Sequence, residues 1–313
     1  MRKVIGIGET VLDIIFKNEQ PVEAVPGGST FNAITSLARA GAETMLISET
    51  GTDLVGDRIV KFLRDNGVCP DYMRRSADIA SPLSLAFLNE RNEANYVFYT
   101  AQSRDQVDMT LPEINPDDII LLGSYYAVNP KVRPQVQALL EQAQRQGAII
   151  YYDVNFRPNH RSEVIRITPN LLENLGYADI VRGSRDDFMT LYKMDDADRV
   201  YKAEIAFYCR QFIYTDGANP VELRADGGMR RSYPVGKVDT VSTIGAGDSF
   251  NAGFIYGLLR ERITRQQLID GLSTSQWDSL VDYALRFSAE CCKGIFNYVS
   301  KDFGAAISLK GGE

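Results

Sequence analysis

Histidine is nearly missing from this 313-residue chain, with His160 the single example. A multi-histidine metal centre or a Ser-His-Asp triad is therefore nearly excluded unless His160 serves, and it sits in a polar stretch. Cysteine is also scarce. Cys69, Cys209, Cys291 and Cys292 show no CxxC spacing and are too few for a disulfide scaffold. Cys291 and Cys292 fall in an apolar helical run and read as buried thiols. Positive charge is in deficit, with 34 Lys and Arg against 41 Asp and Glu, a net charge of −7. That balance argues against a nucleic-acid surface, and it leaves anionic substrates open because a site can be locally positive. No stretch is long and apolar enough to span a membrane. The first apolar run is broken by Glu9 and Asp13 and has no cleavage pattern, so it reads as a core strand and not a signal peptide. A reduced cytoplasm is the expected compartment. No Walker A segment occurs, which argues against a P-loop kinase. Gly6-Ile7-Gly8-Glu9-Thr10-Val11 lacks a third glycine and opens no helix, which argues against a dinucleotide-dependent oxidoreductase.

What is present is an ordinary globular composition, 44% hydrophobic and 24% charged. The length suffices for one large core with an appendage, or for two domains. Near-continuous apolar runs at 4–8, 45–48, 119–123, 149–154, 180–182 and 212–215 read as strands covered on both faces. Helical patterns lie between them at 30–39, 57–66 and 134–146, each followed by a stopping glycine at Gly41, Gly67 and Gly147. The alternation predicts an α/β fold with a mostly parallel sheet and helices on both faces. Segments 13–26, 84–89 and 95–100 interrupt it and predict a small projecting β-sheet, either a decoration or a lid. Another hairpin is expected from 221–224 and 230–234, around Asp226-Gly227-Gly228. A last helix is expected over 278–299.

The segment Ser242-Thr243-Ile244-Gly245-Ala246-Gly247-Asp248-Ser249-Phe250 carries the most chemistry. It precedes a helical pattern over 251–259, which puts Asp248 in the first turn. Unpaired first-turn N–H groups bind anions, and Gly245 and Gly247 allow close approach to the backbone. A carboxylate beside such a cradle suits phosphoryl transfer. The same residues also read as an ordinary capped helix start. A helix N-terminus is expected to lower the Asp248 pKa, a weak base that a loose phosphoryl-transfer transition state tolerates.

The run from Gly245 to Phe254, GAGDSFNAGF, resembles the C-terminal signature of the ribokinase-like (phosphofructokinase-B) family of carbohydrate kinases. Gly27-Gly28-Ser29-Thr30-Phe31-Asn32 and the run after it are similar to the N-terminal signature, so the resemblance covers essentially the whole chain. It implies a ribokinase-like fold, with a core of 1–12, 27–80 and 105–313 and a β-sheet lid of 13–26 and 81–104. In some members that lid mediates dimer contacts, so a homodimer is among the expectations. The resemblance further implies Asp248 as general base and the Gly245-Ala246-Gly247 backbone as anion hole. Asp13, Gly27, Gly28 and Asn32 would bind sugar hydroxyls, joined by Phe98 of the lid. Asp153-Val154-Asn155-Phe156-Arg157 is similar to a family run near sugar and phosphates, so Asn155 and Arg157 join the substrate contacts. On the residues alone, Asp13 and Asn32 read first as a turn carboxylate and a helix-start amide, and Arg157 also reads as a surface residue in a turn.

ATP and magnesium are the implied cosubstrate and cofactor. Ser184, Thr215, Gly217 and Asn297 are the implied nucleotide contacts, with Asn297 near the adenine and Phe296 and Tyr298 as core or wall. The family's Asn-x-x-Glu becomes Ser184 and Asp187 here. Asp187 would hold magnesium through water, and the alternative is a helix start with Ser184 as cap. Ser242 replaces the Asp that helps ligate potassium in some members, which argues against monovalent-cation activation. The lid looks closest to fructokinases, although Thr100 stands where a basic residue often follows, with Arg104 close behind. A fructokinase-like sugar kinase is the leading expectation. A 2-keto-3-deoxygluconate or nucleoside kinase is the alternative, and the changes at Ser184, Asp187 and Ser242 motivate a non-catalytic sugar-binding regulator. The partners expected are a small sugar and ATP, with no nucleic acid or membrane.

Overall fold

The computed structural model describes residues 2–89, 94–99 and 110–311. Thr100, Arg104 and the turn at 90–93 lie outside them. The strands are β1 (Lys3–Ile7), β2 (Val11–Lys17), β3 (Gln20–Gly27), β4 (Glu43–Gly51), β5 (Val68–Cys69), β6 (Met73–Ser76) and β7 (Leu83–Leu88). They continue with β8 (Ala94–Tyr99), β9 (Ile119–Gly123), β10 (Ile149–Asp153), β11 (Ile180–Ser184), β12 (Phe212–Asp216), β13 (Asn219–Ala225) and β14 (Met229–Tyr233). The α-helices are α1 (Ser29–Arg39), α2 (Leu54–Asp65), α3 (Ser124–Val128), α4 (Arg133–Gln146), α5 (Val164–Tyr177) and α6 (Arg185–Tyr192). After them come α7 (Ala197–Val200), α8 (Ala246–Arg260), α9 (Arg265–Asp270), α10 (Thr274–Cys292) and α11 (Lys301–Ala306).

The large sheet runs β14-β13-β12-β11-β10-β9-β1-β4-β5, with β6 extending β5 along the same edge of β4. It is parallel from β12 to β5 and ends in the antiparallel β13 and β14. Both faces are apolar because alternate residues serve different cores. Val4, Ile119, Leu121, Ile149 and Tyr151 face α1, α2, α8 and α10, while Ile5, Ile120, Leu122, Ile150 and Tyr152 face α3, α4 and α5. From β1 the order grows toward β4 on one side and β9 on the other. That reversal opens a crevice at the carboxyl ends of β1 and β9, where ligands of open α/β sheets gather.

A second sheet has the order β3-β2-β7-β8, with β2 and β7 parallel and both hairpins antiparallel. Its registers place Asp13, Ser84 and Phe98 on one face and Ile14, Leu85 and Val97 on the other. Phe16 stacks on Phe87 on that second face, ring centroids 4.9 Å apart. The expected last helix is shorter than its pattern. α10 stops at Cys292, whose carbonyl accepts the Val241 N–H at 2.8 Å, and the chain then turns back through Gly294. Residue 297 therefore lies beyond the helix.

Helices α8 and α10 pack closely because α8 carries Gly253. A Cβ there would lie 2.4 Å from the Tyr283 carbonyl oxygen and 2.7 Å from the Ala284 Cα. Gly253→Ala should therefore push the helices apart and lower stability by about 1–3 kcal/mol, read as a shifted urea midpoint. An unchanged midpoint would mean that the pair separates at no cost.

Candidate active site

The first turn of α8 faces the first turn of α1. Gly245 enters α8 at φ +74, and a Cβ on it would lie 2.2 Å from the Asn297 carbonyl oxygen, so no larger residue fits. The Ile244 N–H donates to Ser242 Oγ at 3.1 Å and the Ala246 N–H to the Thr243 carbonyl at 3.2 Å. The N–H groups of Gly247 and Asp248 have no acceptor among the described residues. The Asp248 carboxylate is buried, accepting from Ser29 Oγ and from Asn32 Nδ2, both at 2.8 Å. Burial pushes it up to about 6. The two donors and Arg157 oppose the rise, and Asp153 adds to it. The lowered pKa expected from the helix terminus is thus corrected, because desolvation is the largest cause and outweighs the two hydrogen bonds and Arg157.

Next to Asp248 lies a second buried carboxylate, Asp13 of β2. One oxygen accepts from Ser84 Oγ of β7 and the other from Asn297 Nδ2 at 2.9 Å. Burial raises Asp13 to about 6 as well, and the Asp248 charge contributes. Gly27 ends β3 against the Asp13 carboxylate, and Gly28 leads into α1. Phe98 stands opposite Ser84 in the small sheet, 46% exposed. Asp13, Gly27, Gly28, Asn32 and Asp248 therefore come together from three separate pieces of chain. Asn297 joins them, which corrects its expected place: its side chain binds Asp13, at the end expected for sugar. Its Oδ1, like that of Asn32, is buried without a partner.

Thr215, at the end of β12, accepts from a terminal guanidinium nitrogen of Arg182 at 2.7 Å. Gly217 is exposed in the β12–β13 turn. Asn155 is buried at φ +35, while Arg157 is exposed and near enough to lower the Glu9 and Asp248 pKa values. Ser184 and Asp187 form a capping box at α6. Asp187 Oδ1 accepts from the Phe156 N–H at 2.7 Å. Its Oδ2 accepts from the Ser184 N–H at 2.6 Å and from Ser184 Oγ at 2.7 Å. With both oxygens engaged and the group buried, Asp187 takes the helix-start place that was the alternative expectation for it. Among the described residues, no cluster of three or more acids, histidines or cysteines is placed to hold a metal.

Sequence reading missed Glu9, Ser29, Ser84, Ser124, Arg182 and Asn251. Glu9 follows β1, is raised by burial, and accepts from Ser124 Oγ at 3.3 Å. Ser124 is a non-glycine residue at φ +57, and such strain concentrates at functional sites. Ser29 lies inside the N-terminal signature and was legible there. Ser84 and Arg182 carry no local signal, because only strand pairing brings them to the site.

A doubly wound sheet, a small second sheet and a buried carboxylate among helix N-termini are the parts of a kinase that phosphorylates a carbohydrate hydroxyl. The model of the pfkB family carbohydrate kinases matches residues 1–278, and the chain belongs to that family. Its fold is ribokinase-like. It is 27% identical over 272 residues to the aminoimidazole riboside kinase of Salmonella typhimurium, covering 83% of this chain and 82% of that one. It is 26% identical over 281 residues to the 2-dehydro-3-deoxygluconokinase of Haemophilus influenzae, covering 84% and 88%. The fructokinase from Vibrio cholerae O395, solved with fructose, ADP and calcium ion, superposes with a TM-score of 0.83. It is 20% identical, over 98% of this chain and 99% of that one. No helix among the described residues is long and apolar enough to cross a membrane.

The capping box has a measurable consequence. Ser184→Ala should cost about 1 kcal/mol in urea unfolding. A loss within error would show that the box adds nothing to stability.

Proposed function

We propose that this kinase transfers the γ-phosphoryl group of ATP to a hydroxyl of an uncharged, fructose-like sugar, with Asp248 as general base. The observation that carries this reading is the Asp248 carboxylate, fixed by Ser29 and Asn32 beside unpaired α8 amides and next to Asp13. Asp13, Gly27, Gly28, Asn32, Asn155 and Asn297 grip the sugar, and Phe98 closes over it. The free Oδ1 atoms of Asn32 and Asn297 suit sugar hydroxyl donors. The small sheet serves as the lid. One sugar hydroxyl, held against Asp248, attacks phosphorus. The new O–P bond forms as the bond to the ADP oxygen breaks, and the hydroxyl proton passes to Asp248. The unpaired amides of Gly247 and Asp248 hold the charge on the transferring group beside Gly245, while the Ala246 N–H is held by the Thr243 carbonyl. Magnesium arrives as part of the nucleotide substrate. Ser184, Thr215 and Gly217 line the strand ends on the nucleotide side.

Three carboxylates, Glu9, Asp13 and Asp248, interact electrostatically at the sugar end, which favours an uncharged substrate over a sugar acid. A second reading, a 2-keto-3-deoxygluconate kinase, draws on Arg157, the cation acting on Glu9 and Asp248. A homodimer through the lid belongs to the same proposal. The lid face away from Asp13 exposes Phe87 at 39%, Val97 at 43% and Tyr99 at 58%. A cytoplasmic location completes it.

In a coupled ADP-release assay, Asp248→Asn should fold as the wild type does and lose most turnover. Near-normal activity would remove Asp248 from the base role. The sugar panel in the same assay decides between the readings. Turnover with fructose and none with 2-keto-3-deoxygluconate is expected, and the reverse would select the second.

The pH dependence follows from burial. Asp248 accepts a proton only when ionised, so kcat/KM should fall as pH drops through about 6. Ser29→Ala removes a donor that stabilises the ionised form, so it should move that limb to higher pH. A limb that stays put or moves down would contradict the assignment.

A further inference from the structure

Arg182 is a buried cation to which neither the family resemblance nor the reaction above gives a part. It stands in β11 between Asp153 of β10 and the β12 strand. One terminal guanidinium nitrogen donates to Asp153 Oδ1 at 3.0 Å and the other to Thr215 Oγ1 at 2.7 Å. The side chain is 7% exposed, and its Nε has no hydrogen-bond partner. Asp153 is tied in turn to α8. Its second oxygen accepts from Asn251 Nδ2 at 2.7 Å, and Asn251 Oδ1 accepts from the Tyr151 hydroxyl at 3.0 Å.

The guanidinium lies directly behind the anion cradle. A Cβ built on Gly247 would sit 3.1 Å and 3.3 Å from its two terminal nitrogens. The first turn of α8 is thus backed by a permanent positive charge in a dry site, where charge acts over a longer reach than in water. A cation facing a helix N-terminus is unfavourable by the dipole, and the Asp153 and Asp187 carboxylates offset it. An anion held by the α8 amides would be attracted by the helix terminus and the guanidinium together. An ion pair kept for stability alone has no need to lie against Gly247 or to leave a donor unpaired.

We infer that Arg182 is a positioning residue for the phosphate end of the site: it fixes Thr215 Oγ1 and sets buried positive charge behind Gly247, so that polyphosphate binding depends on it and sugar binding does not. This rests on the kinase reading above. The charge suits a chain of phosphates, whatever base the nucleotide carries.

The test uses the full chain with sodium tripolyphosphate and magnesium as probe, read by thermal shift without sugar, alongside KM for ATP and for the sugar. Arg182→Met should lose the tripolyphosphate shift and raise KM for ATP at least about tenfold, with KM for the sugar within about twofold. Arg182→Lys, which keeps the charge, should restore part of the shift. Should Arg182→Met not fold, Thr215→Val removes one acceptor while sparing the ion pair, and should raise KM for ATP about threefold to tenfold. A wild-type tripolyphosphate shift in Arg182→Met, or an equal loss of sugar and phosphate affinity, would overturn the inference and leave a structural ion pair. An unchanged KM for ATP in Thr215→Val would do the same for that variant. A wild type that binds tripolyphosphate through Arg182 yet phosphorylates no sugar would sink the kinase reading alone.

Discussion

The burial of Asp248 between two helix N-termini is the constraint on which the rest of the site depends. α8 supplies the carboxylate, and α1 supplies the hydroxyl and amide that hold it. Removing an ionisable group from water is costly, and the raised pKa shows that the two donors offset only part of the cost. The rest must come from the core that presses the two helices together. Phe31, Ile34 and Leu37 of α1 and Phe250, Phe254 and Leu258 of α8 belong to one apolar cluster. Stability on that face of the sheet is therefore what keeps this carboxylate in a dry place.

The opposing consequence is chemical. A carboxylate at an exposed helix start is a poor base, whereas one raised to about 6 is mostly ionised near neutrality and still takes a proton readily. Asp13 is raised by the same cause, and the Asp248 charge adds to its rise. Strain gathers at the same edge of the sheet, at Ser124 and Asn155, both held at positive φ. Rigid parallel strands make this possible, because their carboxyl ends are fixed by the ladder and by cores on both faces.

The sheet also divides labour along its edge. Glu9, Asp13 and Asn297 gather around the crevice beside β1, where carboxylates dominate. Asp153, Arg182 and Thr215 gather at β10 to β12, where a guanidinium is the central charge. Asp248 and the α8 amides lie between the two groups. A neutral polyol on one side and a polyphosphate on the other is the pairing this distribution of charge supports.

The sequence by itself determined most of the strands, the helices α1, α2, α4, α8 and much of α10, and the two glycine-rich turns. Those rest on local periodicity and on the special backbone of glycine, which need no distant partner. Asp248 and Asn32 were legible for that reason, each lying within a turn or two of such a glycine. Tertiary structure alone decided the partners. Asn297 read as the tail of a long helix and went to Asp13 instead, because α10 ended early and the chain turned back. Asp187 read as either a magnesium group or part of a helix start, and its partners, the Phe156 and Ser184 N–H groups and the Ser184 hydroxyl, put it in the α6 cap. The pKa of Asp248 is shifted up and not down as expected, because desolvation depends on everything packed around a group and is not written at any one position. Arg182 stayed silent in the sequence for the same reason: one strand residue among many, its meaning came from the neighbours that β10, β12 and α8 brought to it.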